Sequence, residues 1–370
     1  MKLSLSTENL LSQLQTTARV ASARSAVQAL SGVMISALPD SQPELLATDM
    51  ELGLRVPLKT EVIRPGSAVL PARLLLDVAR SLPAPSLTLE LRTAEQDIEL
   101  ICGSATFHLR TLRAEDFPSL PTPNPETRIT LPAEAFVQTI NRVARSASRD
   151  ETRPVLTGVL ISAAGQELRM VATDSYRLSV KQTALETPVQ GNLEANIPAR
   201  ALQELVRIAQ QAPGETVAVS VDHNQAIFEL DGVTLSSRLI DGQFPNYRQL
   251  LPESVEHELR LASAELTDVV RRISLLAQKN APLRLSFSEG SLNISAQTPD
   301  VGEASESIPV PFAGEPFEIG FNPEFLRDGL ESVESDELIL KLISPLRPGL
   351  IESPEAGDFV YLIMPIRLNA

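Results

Sequence analysis

Cysteine is almost missing from this chain. Cys102 is the only one in 370 residues, so neither an intramolecular disulfide nor a multi-cysteine zinc site can form, which fits a reducing cytoplasm. Positive charge is also short: Lys+Arg 32 against Asp+Glu 47 gives a formal net charge of −15, which taken alone argues against a nucleic-acid partner. No run of 18 apolar residues occurs, and Met1 to Ser4 leads straight into alternating polar sequence, so neither a membrane span nor a secretory leader is expected. The histidines His108, His223 and His257 are scattered, and no glycine-rich phosphate loop or metal-spaced cluster appears, so the sequence calls for no catalytic constellation, no metal and no cofactor. With 43% hydrophobic and 21% charged residues the composition is that of a soluble globular protein, and the length suggests two or three domains.

What the chain has is a repeat. Pro71 to Arg80 returns as Pro198 to Arg207 and more faintly as Asn322 to Leu330, with an acid at the seventh position each time: Asp77, Glu204, Asp328. Ala47-Thr48-Asp49 returns as Ala172-Thr173-Asp174, and Phe117-Pro118 as Phe244-Pro245. Thr-Asp after a strand reads as turn chemistry rather than catalysis. Helical spacing recurs at Leu10 and Leu14, at Phe136 and Ile140, and at Leu266, Val269, Val270 and Ile273. Three copies fill the chain, with borders at proline-rich stretches near 125 and 254, giving domains 1–125, 126–254 and 255–370. Each copy reads as two helices packed on mostly antiparallel strands, an α+β unit.

The net charge hides an uneven distribution. The six predicted helices (7–22, 72–82, 133–148, 199–211, 264–279, 323–333) hold eleven basic and nine acidic residues, so they are weakly basic inside an acidic remainder. Arg73 and Arg80, and likewise Arg200 and Arg207, are two turns apart on one helix face at matching repeat positions, and Arg142, Arg145 and Arg149 make another stripe. Either these are solvated faces balanced by strand acids, or they enclose a polyanion without gripping it.

The repeat, the opening Met1-Lys2-Leu3, the Pro71-Ala72-Arg73 helix start, Ala172 to Leu178, Asp241 to Arg248 and the terminal Tyr361 to Leu368 together resemble the bacterial sliding-clamp family, the β subunits of DNA polymerase III, over the full length in one register. The resemblance implies a head-to-tail homodimer closing a six-domain ring with helices around the hole and strands outside. Double-stranded DNA would run through it, and DNA polymerases, the clamp loader and other clamp-binding-motif proteins would attach, without catalysis. It assigns a partner-peptide cleft to Leu156, Thr173, Ser175, Tyr176, Arg177, Leu178, Pro245, Leu250, Met364, Pro365, Ile366, Arg367 and Leu368. Ser175-Tyr176 stands where the best-known member has Gly-His, which changes the chemistry at the rim. DNA contacts map to Arg24, Arg73, Arg149, Arg153 and Arg200, with Pro154-Val155 where tyrosines stand in that member. The dimer interface maps to Phe107, Leu275 and Leu276, with Asp300, Glu303 and Glu306 facing basic groups across it and Ser104 replacing a basic residue. A terminal strand would place Met364, Ile366 and Leu368 on one face near Leu178 and Leu250. A repeat scaffold that binds only protein is the alternative, and retention on circular DNA discriminates the two.

Overall fold

The computed structural model describes residues 1–22, 25–211, 214–277, 281–354 and 358–368. Each helix follows a strand, as the repeat predicts. Ser6 caps α1 (Thr7–Thr17) by accepting the Asn9 amide. Four further helices follow: α2 (Ala72–Ser81), α3 (Ala133–Val143), α4 (Ala199–Gln211) and α5 (Ser263–Ile273). Asn322 caps α6 (Pro323–Glu331) by accepting from Glu324 and Phe325, and Pro323 sits in the first turn, where an N–H has no intrahelical partner. The stretches predicted as 133–148 and 264–279 leave the α-helix at Val143 and Ile273 and tighten into 3-10 turns at Ala144–Ser146 and Ser274–Leu276.

The chain forms two compact units, Met1–Ala133 with Glu204–Leu239, and Glu134–Gln203 with Ile240–Ala370, so the middle repeat contributes to both. All strand pairing among the described residues is antiparallel. In the first unit one sheet runs β5 (Glu61–Arg64), β1 (Lys2–Ser6), β7 (Ser86–Arg92), β8 (Asp97–Cys102), β9 (Ala105–Arg110). The other has eight strands: β10 (Arg128–Pro132), β13 (Thr216–Asp222), β14 (Gln225–Leu230), β15 (Val233–Arg238), then β4 (Leu52–Pro57), β3 (Glu44–Thr48), β2 (Gly32–Ala37), β6 (Gly66–Pro71). It is composite. Four strands of the middle repeat join four of the first through β15 and β4, with Leu235 opposite Leu54 and Ser236 opposite Gly53. Any side chain at Gly53 would meet Ser236 Oγ at 2.5 Å.

The second unit repeats the device. Its six-stranded sheet runs β11 (Gly158–Thr173), β12 (Arg177–Pro198), β23 (Phe359–Ile363), β22 (Gly349–Glu352), β21 (Glu337–Leu342), β16 (His257–Ala262), so middle and last repeats join through β12 and β23 with Leu178 opposite Leu362. β11 and β12 are long strands, and β11 starts only at Gly158 because Pro154–Thr157 is a 3-10 turn. The remaining sheet runs β19 (Gly302–Pro309), β18 (Ser291–Thr298), β17 (Leu283–Ser288), β20 (Phe317–Phe321). Leu266, Val270, Phe287, Phe321, Leu330 and Tyr361 are buried in one core under α5 and α6.

The repeated Thr-Asp is turn chemistry. Thr48 and Thr173 hydroxyls donate to the carbonyls of Leu52 and Arg177, while Asp49 and Asp174 each accept two following amides. The turns need a left-handed residue, and Met50 (φ 77°), Ser175 (φ 80°) and, in the last repeat, Asp300 (φ 64°) take that place.

Candidate partner-binding site

The turn at Asp174–Tyr176 is the centre of the site. Arg177, the residue that closes it, is buried and uses its whole guanidinium inside the protein. Nε donates to Asp174 at 3.0 Å, Nη1 to Asp328 of α6 at 2.5 Å and Nη2 to the Arg145 carbonyl at 2.6 Å, while the group lies 4.3 Å from the Phe325 ring centroid. Burial opposes its charge, but Tyr361, Asp328 and Asp174 outweigh that and hold its pKa above the ordinary arginine value. Burial likewise pushes the Tyr361 phenol up, and its hydroxyl donates to the Phe325 carbonyl at 2.7 Å. Arg177 is therefore a positioning residue that ties the turn to α6, not an exposed ligand contact.

Around it the cleft residues separate into floor and rim. Leu178 is buried in a cluster with Val171, Tyr247, Leu350 and Leu362, flanked by Phe244 and Leu251, so it does not wait in water for a partner. Leu156 and Thr173 are buried too. Tyr176 (59% exposed), Leu250 (51%) and Met364 (40%) are the large apolar side chains of this set left open, and Pro245, on the same loop as Tyr247 and Leu250, is exposed too. The Met364 amide donates to the Tyr176 carbonyl at 2.9 Å, and the Tyr176 ring stacks on Phe325 at 6.5 Å. Phe325, Tyr247 and Asp328 were not singled out for the cleft. The recurring acid at Asp328 was visible in the repeat, but its partner across 151 residues was not.

The tail departs from expectation. β23 ends at Ile363, and the residues after it do not continue as a strand toward Leu178. The Ile366 amide instead donates to the Gly320 carbonyl at 2.8 Å, and Ile366, Arg367 and Leu368 line a trough of about 790 Å³ with Pro282, Arg284 and Ser295. Pro365, which lacks an N–H, follows Met364 where the ladder stops. Met364 alone of the three alternating residues stays at the turn. A Cβ at Gly320 would lie 2.7 Å from both the Ile366 carbonyl and Leu368 Cδ2. Gly320→Ala is expected to detach the tail, costing about 1–3 kcal/mol, read as faster hydrogen exchange at Ile366 and a lower melting midpoint. An Ile366 amide as protected as in the parent would remove Gly320 from this role.

The arginines assigned to DNA differ in their surroundings. Arg24 lies outside the described residues. Arg73 and Arg149 are exposed and have no ion pair among the described residues, and Arg200 is exposed on the first turn of α4. Arg153 donates to Asp150 at 3.1 Å and to Ser175 Oγ at 3.0 Å, which connects its loop to the turn. The stripe of Arg142 and Arg145 is neutralised. They pair with Glu334 and Glu331 at 2.9 Å each, and Glu331 also meets Arg271. In the first unit the buried Glu204 likewise holds Arg19 and Arg207. Of the interface residues, Phe107 is half-buried on the edge strand β9, Leu275 is 81% exposed and Leu276 half-buried.

Family models for the N-terminal, central and C-terminal domains of the DNA polymerase III beta subunit match residues 1–121, 130–246 and 248–367. The chain belongs to this family. It is 32% identical to the beta sliding clamp of Streptomyces coelicolor, with all of both chains covered, and 30% identical to that of Bacillus subtilis, covering 99% of this chain and all of the relative. Among solved structures, the Bacillus subtilis DNA polymerase sliding clamp superposes with a TM-score of 0.92 at 28% identity, and a Pseudomonas aeruginosa sliding clamp bound to griselimycin with 0.89 at 29%, each over the full length of both chains. The β-subunit family is a non-catalytic processivity component, and the three-repeat α+β architecture is that of the clamp fold. Among the described residues no helix is long and apolar enough to cross a membrane.

Proposed function

We propose that this chain is a cytoplasmic DNA sliding clamp: two copies close head to tail around duplex DNA, and polymerases, the clamp loader and other clamp-binding-motif proteins dock at the Tyr176–Leu250–Met364 rim. The domains run 1–125, 126–254 and 255–370, and no cofactor takes part. One observation carries the ring. Two composite sheets join consecutive repeats, first to middle through β4 and β15 and middle to last through β12 and β23, and this leaves β9 of the first repeat and β19 of the last at sheet edges. Joining β19 of one copy to β9 of the next builds a third composite sheet of the same make, and a closed dimer satisfies both edges. Phe107 lies on β9, and Leu275 and Leu276 stand in the 3-10 turn that follows α5, with Leu276 beside Gly302 at the start of β19.

Weak DNA contact follows from the paired arginines. With Arg19, Arg142, Arg145, Arg207 and Arg271 on carboxylates, fewer cations on and beside the helices remain to displace counterions, so duplex slides instead of sticking. The protein loaded on nicked circular DNA is expected to persist in 0.15 M salt and to leave within the dead time once the circle is cut. Equal retention on linear DNA with free ends would sink the ring and favour a scaffold that binds protein alone.

A further inference from the structure

The internal junctions predict the register of the one between copies, and that register sets a titratable pair in it. At the first junction the residue after the left-handed turn position pairs so that the Arg238 amide meets the Glu51 carbonyl; at the second the Met364 amide meets that of Tyr176. Glu51 and Tyr176 each follow the positive-φ residue, Met50 and Ser175; in the last repeat that residue is Asp300, and Val301 follows it. The hairpins fix the other side. Leu230 opposite Val233 matches Cys102 opposite Ala105, and Leu239 bonded to Asn224 matches Thr111 bonded to Gln96, so Arg238 corresponds to Arg110 and Ser236 to His108. Gly53 opposite Ser236 and Leu178 opposite Leu362 therefore translate to Glu303 opposite His108, and Leu54 opposite Leu235 to Ala304 opposite Phe107.

Resting on the head-to-tail dimer proposed above, we propose that ring closure is proton-linked through His108 of one copy against Glu303 of the next. The two internal junctions carry uncharged pairs at this position, Gly53 with Ser236 and Leu178 with Leu362. Histidine is the side chain whose charge changes between pH 5 and 8. Around His108, Arg92 of β7 lies 2.7 Å from Nδ1, with Asp97 and Glu99 of β8 each 3.9 Å away and Arg110 following on its own strand. Arg92 is held by Asp97 through two hydrogen bonds, at 2.9 and 2.6 Å. Around Glu303, the cross-strand neighbour on β18 is Gln297, and Arg284 and Arg367 share its trough; the next acid on the strand, Glu306, is occupied by Arg272 at 2.6 Å. A facing carboxylate favours the imidazolium, so the dimer gains as pH falls and loses as pH rises through the histidine range.

The test is the dimer dissociation constant of the full chain by sedimentation at pH 8.0 and 6.0. The parent is expected to tighten about tenfold at pH 6.0, each of the two contacts in a ring contributing about threefold. His108→Gln and Glu303→Gln should each remove that dependence, and the double variant should add nothing. In a separate arm, His108→Cys with Glu303→Cys should oxidise to a covalent dimer while Phe107→Cys with Glu303→Cys, which face opposite sides of the sheet, should not. A dimer whose tightening survives His108→Gln, or a parent flat in pH, overturns the proton linkage with the ring intact. A chain that is monomeric at both pH values overturns the dimer itself.

Discussion

Arg177→Met is expected to lower the melting midpoint by about 10 °C and to weaken partner-peptide binding at least tenfold. The guanidinium joins Asp174, Asp328 and the Arg145 carbonyl, so its loss leaves two carboxylates and a carbonyl under cover without that partner. Breaking a buried pair in this way costs about 3–5 kcal/mol because the surviving charge has no water to turn to. At about 2–4 °C per kcal/mol for a cooperative unit of this size, the midpoint shift follows. The peptide effect has a separate origin. Arg177 and Tyr176 flank Phe325, and the Tyr176 carbonyl holds the Met364 amide, so loosening the turn disturbs two of the three open apolar side chains. Arg177→Lys keeps a charge but not the planar fork that reaches three acceptors, and it should recover less than half of the loss. A midpoint within 2 °C of the parent would show that the network does not hold the turn.

That network also marks how far the sequence could be read. Helix positions were legible because their apolar spacing is local, and α4 begins and ends where its periodicity says. The Thr-Asp turns were legible because they repeat. What periodicity could not reveal was pairing over distance. Arg142 and Arg145 form a basic stripe on paper, yet Glu331 and Glu334, nearly two hundred residues on, cancel it. The alternation of Met364, Ile366 and Leu368 suits a strand, but a strand needs a neighbour, and among the described residues after Ile363 the one bridge formed is Ile366 with Gly320. Leu178 looked like a cleft wall because its partners Tyr247 and Leu362 come from separate segments that only the fold brings together. The family resemblance supplied the list of cleft residues; geometry divides that list into buried floor and open rim.

Leu275→Asp is expected to convert the proposed dimer to monomers, raising its dissociation constant by about a hundredfold or more. Arg19, Arg145 and Leu275 each stand two residues past the end of the first helix of their repeat, after Thr17, Val143 and Ile273. The first two reach the second helix of the following repeat, Arg19 meeting Glu204 on α4 and Arg145 meeting Glu331 on α6. By the same step Leu275 would reach α2 of the next copy, where Leu74 is left open and Asp77, at the position of Glu204, pairs among the described residues with Arg80 alone, at 3.4 Å. In the proposed ring the subunit junction would thus replace an ion pair with an apolar contact. An aspartate there would lose that contact, bury a charge without a partner and approach a second carboxylate, together about 3–5 kcal/mol, which at 1.4 kcal/mol per tenfold is two to three decades. Leu276 Cδ1 lies 3.8 Å from where a Cβ on its own Gly302 would stand, so Leu276→Asp should disturb the monomer as well and is the poorer probe. Sedimentation velocity across nanomolar to micromolar protein distinguishes the cases: a Leu275→Asp chain that dimerises with the parent's constant would place the subunit contact away from the end of α5.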